Sequence, residues 1–201
     1  MSGSRFAARF LAVVLLGAGL GACGGASPLD TYDLAAPRMG DLAAPRTTGA
    51  ARAGGRQVLV ADPVVDRALD TDRIVVRPKP TEIAYFAGAQ WSDRLPRLLQ
   101  SRLVETLEAS GRVRAAGRPG QGMAADGQIV MEIRAFDYLP SEARVRVAIA
   151  VKTMDDRSGR IAAMRLFEAS EAVSGDSAPA VVAGFDAAAG RVLADIAAWV
   201  K

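Results

Sequence analysis

Side chains that most often carry chemistry are scarce in this chain: its 201 residues include no His and one Cys, Cys23. Without His there is no Ser-His or Cys-His dyad, no ordinary general base near neutral pH, and none of the commonest metal ligand. A single thiol makes no internal disulfide and no cysteine-rich zinc site. Carboxylates do cluster, at Asp62, Asp66, Asp70 and Asp72 and again at Asp155-Asp156. A calcium loop, however, also requires a sharp Gly turn and a bidentate Glu at fixed spacing, so these read as solvated turns. Gly120-Gln-Gly122-Met-Ala-Ala125 has the outline G-x-G-x-x-A. A strand-type run follows it, and pyrophosphate needs a helix N-terminus there, so it reads as a loop. No phosphate-binding G-x-x-x-x-G-K-[ST] and no G-x-S-x-G or S-x-x-K stands anywhere in the chain. The sequence therefore predicts a protein that is not an enzyme and holds no metal and no dissociable cofactor.

The place of Cys23 matters more than its number. Arg5 and Arg9 precede an uncharged apolar stretch from Phe10 to Ala22, 13 residues against the roughly 20 that a helix needs to cross the hydrocarbon. That is a secretory signal rather than a membrane span. Where a soluble exported protein would show A-x-A, the chain reads Leu20-Gly21-Ala22-Cys23-Gly24. This resembles the bacterial lipobox, in which the Cys thiol takes a diacylglyceryl group and, after cleavage ahead of it, an N-acyl chain. Several acyl chains are needed because one myristoyl-length chain anchors only marginally. The alternative is a plain signal peptide with an incidental Cys. In lipoproteins of bacteria with two membranes, Asp after the lipidated Cys favours the inner membrane, and Gly24 here leaves the outer membrane, with the protein facing the periplasm.

The formal charge is +3, from 25 Lys and Arg against 22 Asp and Glu, and it falls to +1 once Arg5 and Arg9 leave with the signal. With no contiguous basic run, nucleic-acid binding has no support. Half the residues are hydrophobic and 23% are charged, which excludes collagen-like, coiled-coil and wholly disordered classes.

The chain divides into a signal (1–22), a Gly-, Ala- and Pro-rich lipidated tether (23–56) and one domain (57–201). Within the tether, Asp33-Leu-Ala-Ala-Pro-Arg38 recurs as Asp41-Leu-Ala-Ala-Pro-Arg46, too few copies for a solenoid. Fully extended at about 3.1 Å per residue, the tether would reach on the order of 100 Å. In the domain, Gln57–Ala61, Arg73–Arg77 and Glu82–Phe86 read as short strands. Leu95, Leu98, Leu99, Leu103 and Leu107 mark a helix, with Asp93 as its cap, Pro96 in its first turn and Gly111 as its stop. From Gln128 the period becomes two, with Ile129, Met131, Ile133 and Ala135 on one face, then Ala143 to Val151 at alternate positions, then Ile161–Ala169. Short turns between them predict an antiparallel meander. Val181, Val182, Phe185, Ala188, Val192, Ile196 and Trp199 mark a second helix, opened by Ser177 and Pro179. The sum is an α+β domain, a mixed or antiparallel sheet with two amphipathic helices packed on it.

Along Tyr32 to Val200 the chain resembles the auxiliary lipoproteins of ABC-type transport systems, the group that includes the paraquat-inducible C lipoprotein. The resemblance lies in Leu69-Asp70, Arg73-Ile74, Ile83-Ala-Tyr85 and Gln90-Trp91-Ser-Asp-Arg-Leu95-Pro-Arg-Leu98-Leu99-Gln100. Ala135-Phe136-Asp137, Phe185-Asp-Ala-Ala188 and Ile196-Ala-Ala-Trp199-Val200 extend it. The duplicated Asp-Leu-Ala-Ala-Pro-Arg segment departs from the family pattern, beside its Tyr-x-Leu start at Tyr32-Asp33-Leu34. The resemblance implies a noncatalytic part of a Mce-type system, in which a permease and an ATPase of the inner membrane work with a periplasmic Mce-domain protein to move phospholipid or other hydrophobic molecules. It implies an anchor through Cys23 in the outer membrane, docking of the periplasmic conduit, and self-association into a ring as one way to do so. Trp91, just before a helix, is either core or an anchor for a partner. The alternative function is an envelope scaffold or regulator acting on a cell-wall enzyme, and a third is a pocket for lipid between helices and sheet.

Overall fold

In the computed structural model, residues 29–35 and 55–200 are described, and Cys23 and most of the duplicated segment lie outside them. The organising element is a 13-residue strand, Gly127–Leu139 (β7). One edge pairs along its length with antiparallel Arg144–Asp155 (β8), which pairs in turn with Ile161–Ala172 (β9). This is the expected meander. A turn at Pro140–Glu142 joins β7 to β8, with Ala143 in the left-handed region at φ 46°.

The other edge of β7 is shared by three short parallel partners. Gln57–Val60 (β2) takes its start, Val64–Val65 (β3) its middle and Arg73–Lys79 (β4) its end. Ala115–Gly117 (β6) extends the sheet beside β2. Glu82–Trp91 (β5) pairs antiparallel with β4, and Asp30–Tyr32 (β1) lies parallel outside β5. The sheet is thus mixed, as expected for the class.

Asp30–Tyr32 corrects the expectation of a free tether from 23 to 56. Leu34, 2% exposed, enters the core, and the Ser92 amide donates to the Tyr32 carbonyl at 2.7 Å. Arg102 bridges Asp33 at 2.8 Å and Glu105 at 2.7 Å. Its burial opposes the charge, but those hydrogen bonds outweigh it and hold the guanidinium protonated more firmly than usual. The Gly/Ala/Pro-rich composition concealed one apolar side chain and three backbone pairings, which is enough to dock a strand on an open edge.

Helix α1 (Leu95–Ser110) and helix α2 (Ala178–Trp199) cover one face of the sheet. The five leucines that mark α1 are all buried, as are Val181, Phe185, Ala188, Val192 and Ile196 of α2. The helix α1 cap shifts by one residue from expectation. Arg94 occupies the cap position, and Asp93 accepts only the Arg94 amide, at 2.7 Å, so no carboxylate enters the first turn. Pro96 lies in that turn and Gly111 ends the helix at φ 61°, both as expected.

A bulge at Arg134 changes the face assignment of β7. Ile133 pairs with Ile149, but Ala135 pairs with Ala148, leaving Arg134 as the extra residue. The core face therefore reads Ile129, Met131, Ile133, then Phe136 and Tyr138. Ala135, expected to continue the core alternation, turns to the helix-free face with Asp137.

Candidate functional site

Trp91 belongs to the core. It is 1% exposed and meets Phe136 and Phe185 edge-on, at ring-centre distances of 5.8 and 5.6 Å, while those two rings stack at 4.6 Å. One ring each from β5, β7 and α2 locks the sheet to the helix. The expectation that Trp91 anchors a partner is corrected: buried within its own fold, the indole has no surface to offer. Cys23, the expected lipidation site, lies outside the described residues.

The acidic turns hold no metal-binding group among the described residues. Asp70 pairs with Arg94 at 2.5 Å, and Asp62 accepts from Gln100 Nε2 at 3.1 Å. Asp155 closes the β8–β9 turn by accepting from the Ser158 hydroxyl and amide, at 2.8 and 2.9 Å, which holds its carboxyl below the ordinary range. Gly120 and Gly122 sit in a loop at positive φ, with no helix after them.

Polar chemistry concentrates instead on the helix-free face, at the end of β7. The bulge turns Asp137 to that face, where it is 1% exposed. Arg146 of β8, the cross-strand neighbour of Asp137, donates Nε to Oδ1 at 3.2 Å and Nη2 to Oδ2 at 3.0 Å. Arg77 of β4 donates Nε to Oδ2 at 2.9 Å and Nη1 to the Pro80 carbonyl at 3.3 Å. Hydrogen bonding to Asp137 holds Arg146 protonated more firmly than usual, against the opposing effect of burial. A buried carboxylate thus carries two guanidiniums in fixed orientation, their side chains 25% and 45% exposed. Among the described residues, Arg77 Nη2 and Arg146 Nη1 take no hydrogen-bond partner. They border a cavity of about 240 Å³ lined by Arg77, Lys79, Pro80, Leu139, Ser141, Glu142 and Arg146. The unspent N–H groups of the two guanidiniums suit this arrangement to binding an anion.

Sequence reading noted Asp137 within a family pattern but assigned Arg77 and Arg146 no role. Their sequence separations from Asp137, 60 and 9 residues, are brought together only by strand pairing. The one legible signal was an Asp inside the otherwise apolar run from Ala135 to Leu139.

A larger cavity, about 330 Å³, opens at the other end of β7, between Val58, Ile129, Met154, Ala163, Trp199 and Val200, with Arg56 at its side. Gly127 lines it too, and a Cβ there would meet Arg56 Nη2 and the Met154 carbonyl at 2.7 Å.

The fold and this surface define a single α+β domain carrying a paired-arginine site on its helix-free face. The chain belongs to the family of ABC-type transport auxiliary lipoprotein components, whose sequence pattern it matches over residues 41–197. A crystal structure of a Xanthomonas campestris protein is 26% identical and superposes with a TM-score of 0.72, over 84% of this chain and 93% of that one. A second crystal structure, of an uncharacterised protein, shares the fold at 15% identity and a TM-score of 0.66, covering 87% and 99%. An uncharacterised protein of Bradyrhizobium diazoefficiens is 31% identical over 161 residues, 79% of this chain. The chain spans 43% of that relative's length.

Proposed function

We propose that the protein is an outer-membrane-anchored periplasmic lipoprotein, a noncatalytic auxiliary component of a Mce-type ABC transport system. Cys23 carries the diacylglyceryl and N-acyl groups, and the domain docks the periplasmic conduit, formed by a Mce-domain protein served by an inner-membrane permease and ATPase. The cargo is phospholipid or another hydrophobic molecule. The observation that carries this reading is the family match over residues 41–197, which takes in helix α1, all but the last two residues of helix α2 and all strands but β1. A sequence without His and a surface site suited to anions support a part that binds rather than reacts. Self-association into a ring is consistent with docking a conduit.

The test is affinity purification of the native lipoprotein in mild detergent, with mass spectrometry of the proteins and lipids that accompany it. A Mce-domain protein with its permease and ATPase is the expected result. Cell-wall enzymes without those components would overturn the reading in favour of an envelope scaffold.

A further inference from the structure

At the end of the sheet away from the arginine cluster, the helix layer stops short of the strands. Helix α2 ends at Trp199, while Thr153 of β8 and Ala163 of β9 lie in register with Ile129 on the helix-facing side. Ala163 is exposed, although farther along β9 the same face is buried at Phe167. The gap so left is the cavity of about 330 Å³. Val58, Ile129 and Val200 form its walls, with Trp199 beside them, its indole meeting Phe167 edge-on at 5.6 Å. Ala162 is the extra residue of a bulge between the Thr153–Ala163 and Met154–Ile161 pairs. It and Ala163 line the cavity with methyl groups where larger side chains would fill it.

Size and wall chemistry together name the occupant. The volume stands at the lower end of ligand cavities, which run from about 300 to 1,000 Å³ with mainly apolar walls and a few polar groups. At roughly 30 Å³ for each water-sized group, it takes on the order of ten methylenes, one hydrocarbon chain and not two. Among the lining residues Arg56 alone is charged, and its Nη2 donates to the Asp126 carbonyl at 3.0 Å. Asp155, in the adjoining β8–β9 turn, is near enough to attract it. A cation balanced by a neighbouring carboxylate suits a zwitterionic head rather than an anionic one.

We infer that this cavity takes one acyl chain of a zwitterionic phospholipid, the chain held between α2 and the sheet and the head at Arg56. The inference rests on the transport reading for the source of that lipid, and on the cavity for its chemistry.

It is tested on the full chain carrying Cys23→Ala, which alters none of the described residues, with lysophosphatidylcholines kept below their micelle concentrations. A lysophosphatidylcholine brominated on its chain should quench part of the tryptophan fluorescence, and Trp199→Phe should abolish that quenching. Unlabelled homologues should displace it more tightly as they lengthen, by up to about fourfold per methylene, and level off near about ten carbons. Ala163→Phe, or Ala162→Phe on the same wall, should weaken binding roughly tenfold or more, the loss of about two methylenes. Met164→Phe, on the opposite face of the same strand, should leave binding unchanged, and the melting temperature of each variant reports its fold. Lysophosphatidylglycerol of equal length should bind no more tightly. Absence of quenching, affinity that keeps rising well past the expected length, tighter binding of the anionic lipid, or indifference to both Phe variants would overturn the inference. Such a failure leaves the purification test for Mce partners unaffected. Cell-wall enzymes recovered there would instead sink the transport reading with chain binding intact, so the two failures are separable.

Discussion

Asp137 is the residue whose removal says most about the helix-free face. A buried carboxylate that accepts three charged hydrogen bonds cannot lose its charge without leaving two guanidiniums to repel one another. Because those guanidiniums are partly solvated, the cost is below that of a fully buried pair. Asp137→Asn should lower unfolding free energy by about 1–3 kcal/mol, read by urea denaturation. A change within a few tenths would show that the cluster is loose in solution. Trp91 sits at the opposite extreme, purely apolar in its role. Trp91→Ala should cost about 3–5 kcal/mol. Retention of near-wild-type stability would contradict the packing of its ring against Phe136 and Phe185.

At the scale of elements, the docked N-terminal strand and the bulge are the decisive features. Strand β1 contributes few contacts of its own, but Leu34 fills a core position and Asp33 partners a half-buried arginine. Leu34→Ala should cost about 2–4 kcal/mol, measured by thermal unfolding, whereas a side chain in a free tether would cost nothing. Deleting Arg134 would make Ile133 and Ala135 consecutive, as their partners Ile149 and Ala148 already are, and keep Phe136 and Tyr138 on the core face. Cooperative unfolding should survive that deletion, whereas deleting Ala135 together with Arg134 would invert every side chain beyond it and abolish cooperative unfolding. Strand β8 was legible because alternation is regular there, while β9 starts at the expected Ile161 but runs on to Ala172, past the expected end at Ala169. Strands β1, β3 and β6 were not, since two or three residues carry no period and are strands only because a partner edge is there to pair with them.

For the molecule as a whole, anchoring and docking set the next experiments. Cys23→Ala should move the protein out of the membrane fraction and remove the acyl mass increment seen by intact-mass spectrometry. An unchanged membrane fraction would point to attachment by another route. What the sequence by itself determined was the α+β class, both helices, the meander and the family, because each is written in local residue types or in short-range periodicity. The tertiary structure alone decided that Trp91 is core, that residues 30–34 belong to the domain, and that Arg77, Asp137 and Arg146 form one cluster. Those facts depend on which edges pair and on a single inserted residue in β7. Pairing between strands distant in the chain leaves no local trace, because the free energy that selects it comes from burial and hydrogen bonding achieved only once the whole sheet is assembled.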